Sequence, residues 1–238
     1  MRHTYIALFG DSVANGLGVG PRRYGEVVAA SLDAKLLDFS GSAQPVSQSS
    51  MLAQESLGNL NVVLALVAHG ITEAMVRPSA AHLRGMPARW RRLGWMDPRP
   101  YYSRRWWKSA GQRLESAVRW RAKNFLIRRD GGEQLMTRPA YEYHLRNLVE
   151  GLVTPTTKVL VIGPPRISER YFPGSNPQLQ AYADTSRLVA HEMGATYVEI
   201  AQHLAPGADY LADQFHPSAL GHAKIAALIL ETLPQMRA

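Results

Sequence analysis

Three residues that together could make a nucleophilic relay stand near the two ends of this 238-residue chain. Ser12 follows the apolar run at residues 5–9, and Asp213 and His216 lie three positions apart near the other end. A serine hydroxyl is a poor nucleophile at neutral pH, so it needs a base within hydrogen-bond reach and a third group that fixes the tautomer of that base. His216 is the candidate base and Asp213 the group that orients it. The pattern predicts a serine hydrolase.

These residues need a frame that brings distant parts of the chain together. Five short apolar or β-branched runs predict strands at residues 4–9, 34–39, 61–68, 158–162 and 196–200. Apolar residues at helical spacing predict helices at residues 23–32, 48–57, 140–152, 177–193 and 219–233. Strands of continuous apolar character that alternate with helices indicate a parallel sheet covered on both faces. Ligands bind at the carboxyl ends of such strands, so we expect the polar residues that follow the strands to meet at one rim.

Two segments carry a family resemblance. Gly10-Asp11-Ser12 with the following Val13-Ala14-Asn15-Gly16, and Asp213-Gln214-Phe215-His216-Pro217, resemble the first and last sequence blocks of the SGNH (GDSL) hydrolases. The resemblance implies a flavodoxin-like, three-layer α/β/α fold with a five-stranded parallel sheet. It also implies Ser12 as nucleophile, His216 as base and Asp213 as its partner. The resemblance covers residues 4–76 and 140–233. We expect Asp11, next to the nucleophile, to tie down the loop through backbone N–H groups rather than to catalyse.

The resemblance also implies an oxyanion hole, from which this sequence departs at one place. In the family the oxyanion is held by the serine N–H, by a glycine N–H after strand two and by an asparagine side chain after strand three. Gly41 matches the glycine, but Gly70-Ile71-Thr72-Glu73 replaces the usual Gly-x-Asn-Asp, so Thr72 stands where the amide is expected. Loss of one such donor costs ~10²–10³ in turnover. Three outcomes stay open: a slower hydrolase, a hole completed by Thr72 or a neighbour such as His69, or a fold retained for binding.

The net charge of +8 is concentrated in one segment, which we call the insert, at about residues 77–130. Residues 77–129 contain fifteen Lys and Arg against Asp97 and Glu115, and all five tryptophans; the rest of the chain has twelve basic and seventeen acidic residues. Residues 78–103 hold four prolines and predict irregular structure. Residues 109–129 predict an amphipathic basic helix. Its apolar stripe is Leu114, Val118, Ala122 and Phe125, and its basic residues Arg113, Arg119, Lys123 and Arg128 lie mostly off that stripe.

The insert follows the third strand, so we expect it to overhang the rim with Ser12. Its Arg, Lys and Trp residues suit an anionic membrane surface, an anionic substrate or acyl carrier, or nucleic acid. The simpler alternative is a solvated lid whose tryptophans pack on the sheet domain. We place an anionic substrate or a membrane-associated donor first and expect no nucleic-acid partner, because nothing else in the chain is typical of a nucleic-acid module.

Several classes of protein are excluded or disfavoured by what the sequence lacks. Without cysteine there is no disulfide framework and no thiol nucleophile. The longest apolar stretch, residues 62–68, falls far short of the ~20 residues that cross a bilayer. Cleavage of a signal peptide would remove Ser12, so we expect a cytoplasmic location, with peripheral membrane contact left open. The spacing of histidines and glycines predicts neither a metal site nor a nucleotide cofactor. We expect one domain over residues 1–238.

Three functions remain from this reasoning. The first is an esterase or deacylase that acts through a Ser12 acyl-enzyme on an ester-bearing small molecule, glycan or lipid, with carbohydrate- or lipid-linked esters favoured. The second is an acyltransferase, in which a sugar or lipid hydroxyl resolves the same acyl-enzyme because the insert excludes water. The third is a non-catalytic binding module, which the presence of Thr72 at the asparagine position motivates.

Overall fold

The computed structural model describes residues 4–57 and 60–234, and it contains one five-stranded sheet. The strands are β1 (Tyr5–Gly10), β2 (Lys35–Ser40), β3 (Val62–Ala68), β4 (Lys158–Ile162) and β5 (Thr196–Val198). All neighbouring strands are parallel and their order is β2-β1-β3-β4-β5. This order is that of flavodoxin-like sheets, so the predicted fold class is confirmed.

Nine helical segments connect or follow these strands within the described residues. They are α1 (Ser12–Asn15), α2 (Tyr24–Ser31), α3 (Val46–Ser56), α4 (Ile71–Ala74), α5 (Ala80–Leu83), α6 (Trp106–Asp130), α7 (Arg138–Leu152), α8 (Ser175–Glu192) and α9 (Ala219–Thr232). Short 3₁₀ turns lie at Gly20–Arg22 and Ala88–Arg91. The two short elements α5 and Ala88–Arg91 occupy part of the insert that the prolines predict to be irregular.

The helices form a layer on each face of the sheet. On one face α2 and α9 pack on each other and on alternate residues of the strands, such as Ile6, Leu64 and Leu160. On the other face α3, α7 and α8 cover Ala7, Val67 and their neighbours. Both faces of β1, β3 and β4 are therefore buried. Their sequences read as unbroken apolar runs for this reason.

The end of β1 shows why a glycine precedes the predicted nucleophile. A Cβ at Gly10 would lie 2.5 Å from the Ala14 Cβ and 2.7 Å from the Ala68 carbonyl oxygen. The absence of a side chain lets the chain leave β1, turn sharply and begin α1 at Ser12. Parallel strands on either side end at the same edge of the sheet, and this edge receives the loops after β2 and β3.

The first and last parts of the insert are held together where they join the sheet domain, at the paired residues Arg77 and Glu133, which we call the neck. Arg77 and Glu133 form an antiparallel bridge in which each backbone N–H donates to the other's carbonyl oxygen, at 3.0 and 2.9 Å. A Cβ on the adjacent Gly132 would lie 2.4 Å from Val76 Cγ1 and 2.9 Å from the Arg77 carbonyl oxygen, so only glycine fits in this crossing. The long helix α6 makes up nearly half of the segment between the two bridge residues.

Helix α6 packs with an unexpected face inward. Arg119 and Lys123 are buried, whereas Leu114, Val118 and Phe125 of the apolar stripe are exposed. An amphipathic helix on a globular protein normally buries its apolar stripe. Here Leu126 and Ile127 are buried together with two polar contacts. Arg119 Nη1 donates to the Trp95 carbonyl oxygen at 2.6 Å, and Lys123 Nζ contacts the Asp97 carboxylate at 2.5 Å. None of the helices in the described ranges is long and apolar enough to cross a membrane.

Candidate active site

The structure brings Ser12, His216 and Asp213 into one hydrogen-bonded chain. His216 Nε2 lies 2.9 Å from Ser12 Oγ, across 204 residues of sequence. His216 Nδ1 lies 2.6 Å from Asp213 Oδ2. These distances satisfy the geometry that a nucleophile, a base and an orienting carboxylate require. What each residue does in a reaction stays a prediction.

The Asp213 carboxylate is fixed by its own loop. It is buried, and its Oδ1 accepts hydrogen bonds from the backbone N–H groups of Phe215 and His216 at 3.0 and 3.1 Å. The intervening Gln214 has a φ of 53°, in the left-handed region that non-glycine residues rarely adopt. The loop folds the carboxylate back on the imidazole and leaves the other ring nitrogen to Ser12. The Asp-x-x-His spacing produces this arrangement.

Asp11 lies beneath the serine and ties the turn down as expected. Its Oδ1 accepts from the Val13 N–H at 3.0 Å and so caps α1. Its Oδ2 accepts from the Thr72 N–H at 3.3 Å and the Thr72 hydroxyl at 2.8 Å. Burial and the neighbouring charge of Glu73 raise the pKa of Asp11. This carboxylate therefore joins the loops after β1 and β3.

The two predicted oxyanion donors have other partners in this structure. The Thr72 hydroxyl donates to Asp11, as described, and the Gly41 N–H donates to the Gly10 carbonyl oxygen at 3.1 Å. The Gln44 side chain also lies close to Gly41. A Cβ on Gly41 would be 2.7 Å from Gln44 Oε1. The role of Gly41 and Thr72 as oxyanion donors, which the family pattern implies, therefore stays a prediction. In this structure the Gly41 N–H pairs with the end of β1, and the Thr72 hydroxyl donates to the buried Asp11.

His69 lies behind the site instead of at its rim. It is buried, with Nε2 2.8 Å from Ser49 Oγ and Nδ1 3.5 Å from Glu73 Oε1. The Glu73 carboxylate is also buried and accepts from the N–H groups of Val46 and Gly70 at 2.6 and 2.9 Å. Burial raises the pKa of Glu73, but contact with His69 and the hydrogen bond from the Val46 N–H outweigh burial, so that pKa lies below its usual range. The alternative in which His69 completes the hole has no support from this placement.

Ser12 and His216 open into a cavity of about 360 Å³. The sheet frame contributes Ser42, Ala43, Thr72, Phe172 and Phe215 to its wall. The insert supplies the opposite wall, with Arg92, Leu93, Gly94, Trp95, Asp97, Pro98 and Pro100. Ala43 has a φ of 56°, so the turn after Gly41 is strained where it faces the cavity. As predicted, the insert overhangs the rim that carries Ser12.

Arg77 is a site residue that the sequence analysis did not single out. It lines the cavity, and its Nη1 donates to the Thr72 and Met75 carbonyl oxygens at 2.7 and 3.1 Å. Its buried Nε has no hydrogen-bond partner among the described residues. Arg77 and Arg92 also line an adjoining cavity of about 230 Å³ beneath the insert. One signal in the sequence was available, because Arg77 begins the basic segment directly after β3 and α4.

No group of three or more His, Asp or Glu side chains in residues 4–57 and 60–234 is placed to hold a metal ion. The site itself offers a serine hydroxyl, an imidazole, a carboxylate and the surrounding N–H groups. Those four components are sufficient for acyl transfer.

Comparison with known proteins identifies the family and supports the fold. Residues 8–224 match the GDSL-like Lipase/Acylhydrolase family. The chain belongs to this family. As a GDSL-like acylhydrolase it is an SGNH-type enzyme that acts on ester bonds. No curated protein sequence matches the chain.

Solved structures that are similar to this GDSL-like acylhydrolase share its fold at low identity. The lipase/acylhydrolase from Enterococcus faecalis superposes with a TM-score of 0.61 at 15% identity, covering 98% of this chain and 95% of the other. Est24, a carbohydrate acetylesterase from Sinorhizobium meliloti, gives 0.61 at 14% identity, covering 99% and 100%. A catalytic mutant of Axe2, an acetylxylan esterase from Geobacillus stearothermophilus, gives 0.58 at 14% identity, covering 97% and 94%.

Proposed function

We propose that the chain is a serine esterase that removes a short acyl group through a covalent intermediate on Ser12. The observation that carries this is the continuous contact from Ser12 Oγ to His216 and on to Asp213. Ser12 Oγ attacks the ester carbonyl while His216 Nε2 takes its proton. The same imidazole then gives that proton to the leaving alcohol. His216 next takes a proton from a water molecule, which attacks the acyl carbonyl, and returns that proton to Ser12 Oγ as the acyl–oxygen bond breaks and the acid leaves. Asp213 stabilises the imidazolium in both halves of the reaction.

We place the oxyanion donors in the backbone around the turn. The N–H of Ser12 and those of Ser42 and Ala43 are the candidates, because all three residues line the cavity while Gly41 and Thr72 donate elsewhere. Successive N–H groups beside a left-handed residue form a concave anion site. The φ of 56° at Ala43 supports such a turn.

For the substrate we propose an acetylated or short-acyl carbohydrate ester, with a lipid-linked ester as the other member of the class. Two similar structures are named as a carbohydrate acetylesterase and an acetylxylan esterase. The cavity wall combines Trp95 with Arg77 and Arg92, which suits a polyhydroxylated or anionic leaving group better than a long alkyl chain. Tryptophan gives a sugar an apolar face, and guanidinium groups donate to its oxygens.

The test uses a fluorophosphonate probe and p-nitrophenyl acetate on three proteins. We expect labelling and hydrolysis by the wild type and by Ser42→Ala, and neither by Ser12→Ala. Ser42→Ala is the matched control because it removes a different serine hydroxyl from the same cavity. Labelling of Ser12→Ala to the extent of the wild type would end the proposal. Acetate release from acetylated xylooligosaccharides, compared with release from short-chain glycerides, then decides between the two substrate types.

An acyltransferase remains the second candidate because the insert roofs the relay. Ser12 is 8% exposed, and residues such as Trp95 and Pro100 of the insert close one side of the cavity. Exclusion of water favours a sugar or lipid hydroxyl as acceptor. Product analysis with added acceptor would show transfer in excess of hydrolysis for an acyltransferase, and hydrolysis alone for an esterase.

A further inference from the structure

The outer face of α6 carries an uncovered apolar stripe. Trp107, Leu114, Val118 and Phe125 are spaced so that they share one face of the helix, and we call them the outer stripe. They are 52–70% exposed, and the adjacent Trp106 is 81% exposed. Single exposed apolar residues need no explanation, but a continuous row with two tryptophans at one end marks an interaction surface.

The surroundings of the outer stripe are strongly basic. Seven exposed basic residues lie on α6 or just before it: Arg104, Arg105, Lys108, Arg113, Arg121, Arg128 and Arg129. The helix has two acidic residues, and both are already paired. Glu115 contacts Arg99 at 2.8 Å, and Asp130 contacts Arg129 at 2.6 Å. The face therefore presents apolar side chains within a field of positive charge.

We propose that this face docks on the surface of an anionic lipid bilayer. Helices that lie in the membrane interface combine Trp, Phe and Leu on one side with Lys and Arg beside them, and anionic headgroups strengthen their binding. A second copy of the chain would bring one basic field against another, which opposes self-association. Nucleic acid would use the charge but would leave the aliphatic Leu114 and Val118 without a partner.

The inner face of the same helix connects this surface with the cavity. Ser116 Oγ accepts from the Arg99 N–H at 3.1 Å, in addition to the contacts that Arg119 and Lys123 make with Trp95 and Asp97. Those contacts hold the segment that forms the insert wall of the cavity. A bilayer bound on the outer side of α6 thus lies one helix diameter from the wall beside Ser12. The docking surface and the Ser12 relay are nevertheless separate, and neither needs the other to function.

The test is flotation with vesicles of phosphatidylcholine alone and of phosphatidylcholine and phosphatidylglycerol in equal parts. We expect the wild type to float with the mixed vesicles and to bind pure phosphatidylcholine far more weakly. The double variant Leu114→Ser/Phe125→Ser should lower binding to mixed vesicles more than about tenfold. Arg121→Gln/Arg128→Gln should lower it about twenty-fivefold, since each basic residue near an anionic surface strengthens binding about fivefold.

The matched control is Met51→Ser/Leu188→Ser, which removes two exposed apolar residues from other helices and should leave flotation unchanged. Far-UV circular dichroism and a cooperative thermal unfolding transition show that each variant is folded. Ser12→Ala should float like the wild type, so a failure of docking is distinguishable from a failure of the proposed esterase activity.

Four results would overturn the docking proposal. The first is a wild type that stays in the fraction without vesicles, and the second is a Leu114→Ser/Phe125→Ser variant that floats as well as the wild type. Size-exclusion chromatography could show a dimer that this variant converts to a monomer, which would assign the outer stripe to a second copy. Tighter binding to single-stranded RNA than to mixed vesicles at the same salt concentration would assign the face to nucleic acid.

Discussion

Replacing Lys123 by methionine tests whether the polar inner face of α6 holds the insert in place. The Lys123 side chain is 2% exposed, its Nζ lies 2.5 Å from Asp97 Oδ1, and it stands 3.9 Å from the centre of the Phe172 ring. Methionine has a similar length and keeps the aliphatic packing, so the substitution removes the charge with little change in volume. We expect Lys123→Met to lower the free energy of unfolding by about 3 kcal/mol.

This magnitude follows from the local environment of the pair. Removing one partner of a buried ion pair costs ~3–5 kcal/mol because the other charge is left uncompensated. Two observations place this case at the lower end of that range. The Asp97 side chain is 20% exposed, so water can partly solvate its carboxylate. Burial lowers the pKa of Lys123 despite its attraction to Asp97, so deleting the amine also removes an unfavourable desolvation.

Urea unfolding at pH 7 measures the effect against a matched control. Lys108→Met, on the exposed side of the same helix, should change stability by less than about 0.5 kcal/mol. Asp97→Asn/Lys123→Met should recover much of the loss, because no buried charge is then left unpaired. Asp97 lines the cavity, so Lys123→Met should also raise KM more than it lowers kcat. A loss below about 1 kcal/mol, or a double variant no more stable than Lys123→Met, would refute the reasoning.

Three further predictions concern the relay and its supports. Asp213→Asn should keep the fold but stabilise the wrong tautomer of His216, lowering kcat about 10⁴-fold for p-nitrophenyl acetate; a loss under ~10-fold would count against the relay. Thr72→Val should cost ~1–3 kcal/mol by depriving buried Asp11 of a donor, with recovery in Thr72→Ser. A 100-fold fall in kcat at unchanged stability, on the order expected for a lost oxyanion donor, would instead put the hydroxyl in the reaction. Burial and the charge of His216 lower the pKa of His222 from 6.5 to about 4, so the unfolded chain binds the extra proton first and stability is lost as the pH falls below 6.5. The wild type should lose about 2 kcal/mol from this residue between pH 7 and pH 5, and His222→Gln should lose correspondingly less in the same urea titration.

The sheet and the relay could be predicted because their signals are local. The buried strands are short apolar runs bounded by turn residues, so four of the five predicted strands agree with the structure to within a residue at each end. The fifth, predicted at residues 196–200, ends at Val198. The contact between Asp213 and His216 could be predicted because the two residues lie three positions apart in one loop. The place of Ser12 at the rim could be predicted from its position after β1, because the carboxyl ends of neighbouring parallel strands lie at the same edge of the sheet.

What could not be predicted depends on contacts between distant segments. The periodicity of α6 shows an apolar stripe and a basic face, but which face turns inward depends on the Trp95 carbonyl and the Asp97 carboxylate in another part of the insert. The partner of Thr72 is Asp11, 61 residues earlier. A family pattern assigns a residue type to a place in the loop, whereas the direction in which a hydroxyl donates is set by the nearest buried acceptor.

The Arg77–Glu133 neck has a consequence for how such a chain can vary. The two ends of the insert are joined by a pair of backbone hydrogen bonds between Arg77 and Glu133. The conformational entropy lost in closing the insert at this point therefore depends only weakly on the number of residues in the insert. Segments of other lengths and compositions could be exchanged at this junction while the strands beneath keep their register. The insert that covers Ser12 is thus a replaceable module. Related chains could change their substrate specificity by exchanging this segment while the serine, histidine and aspartate stay in place.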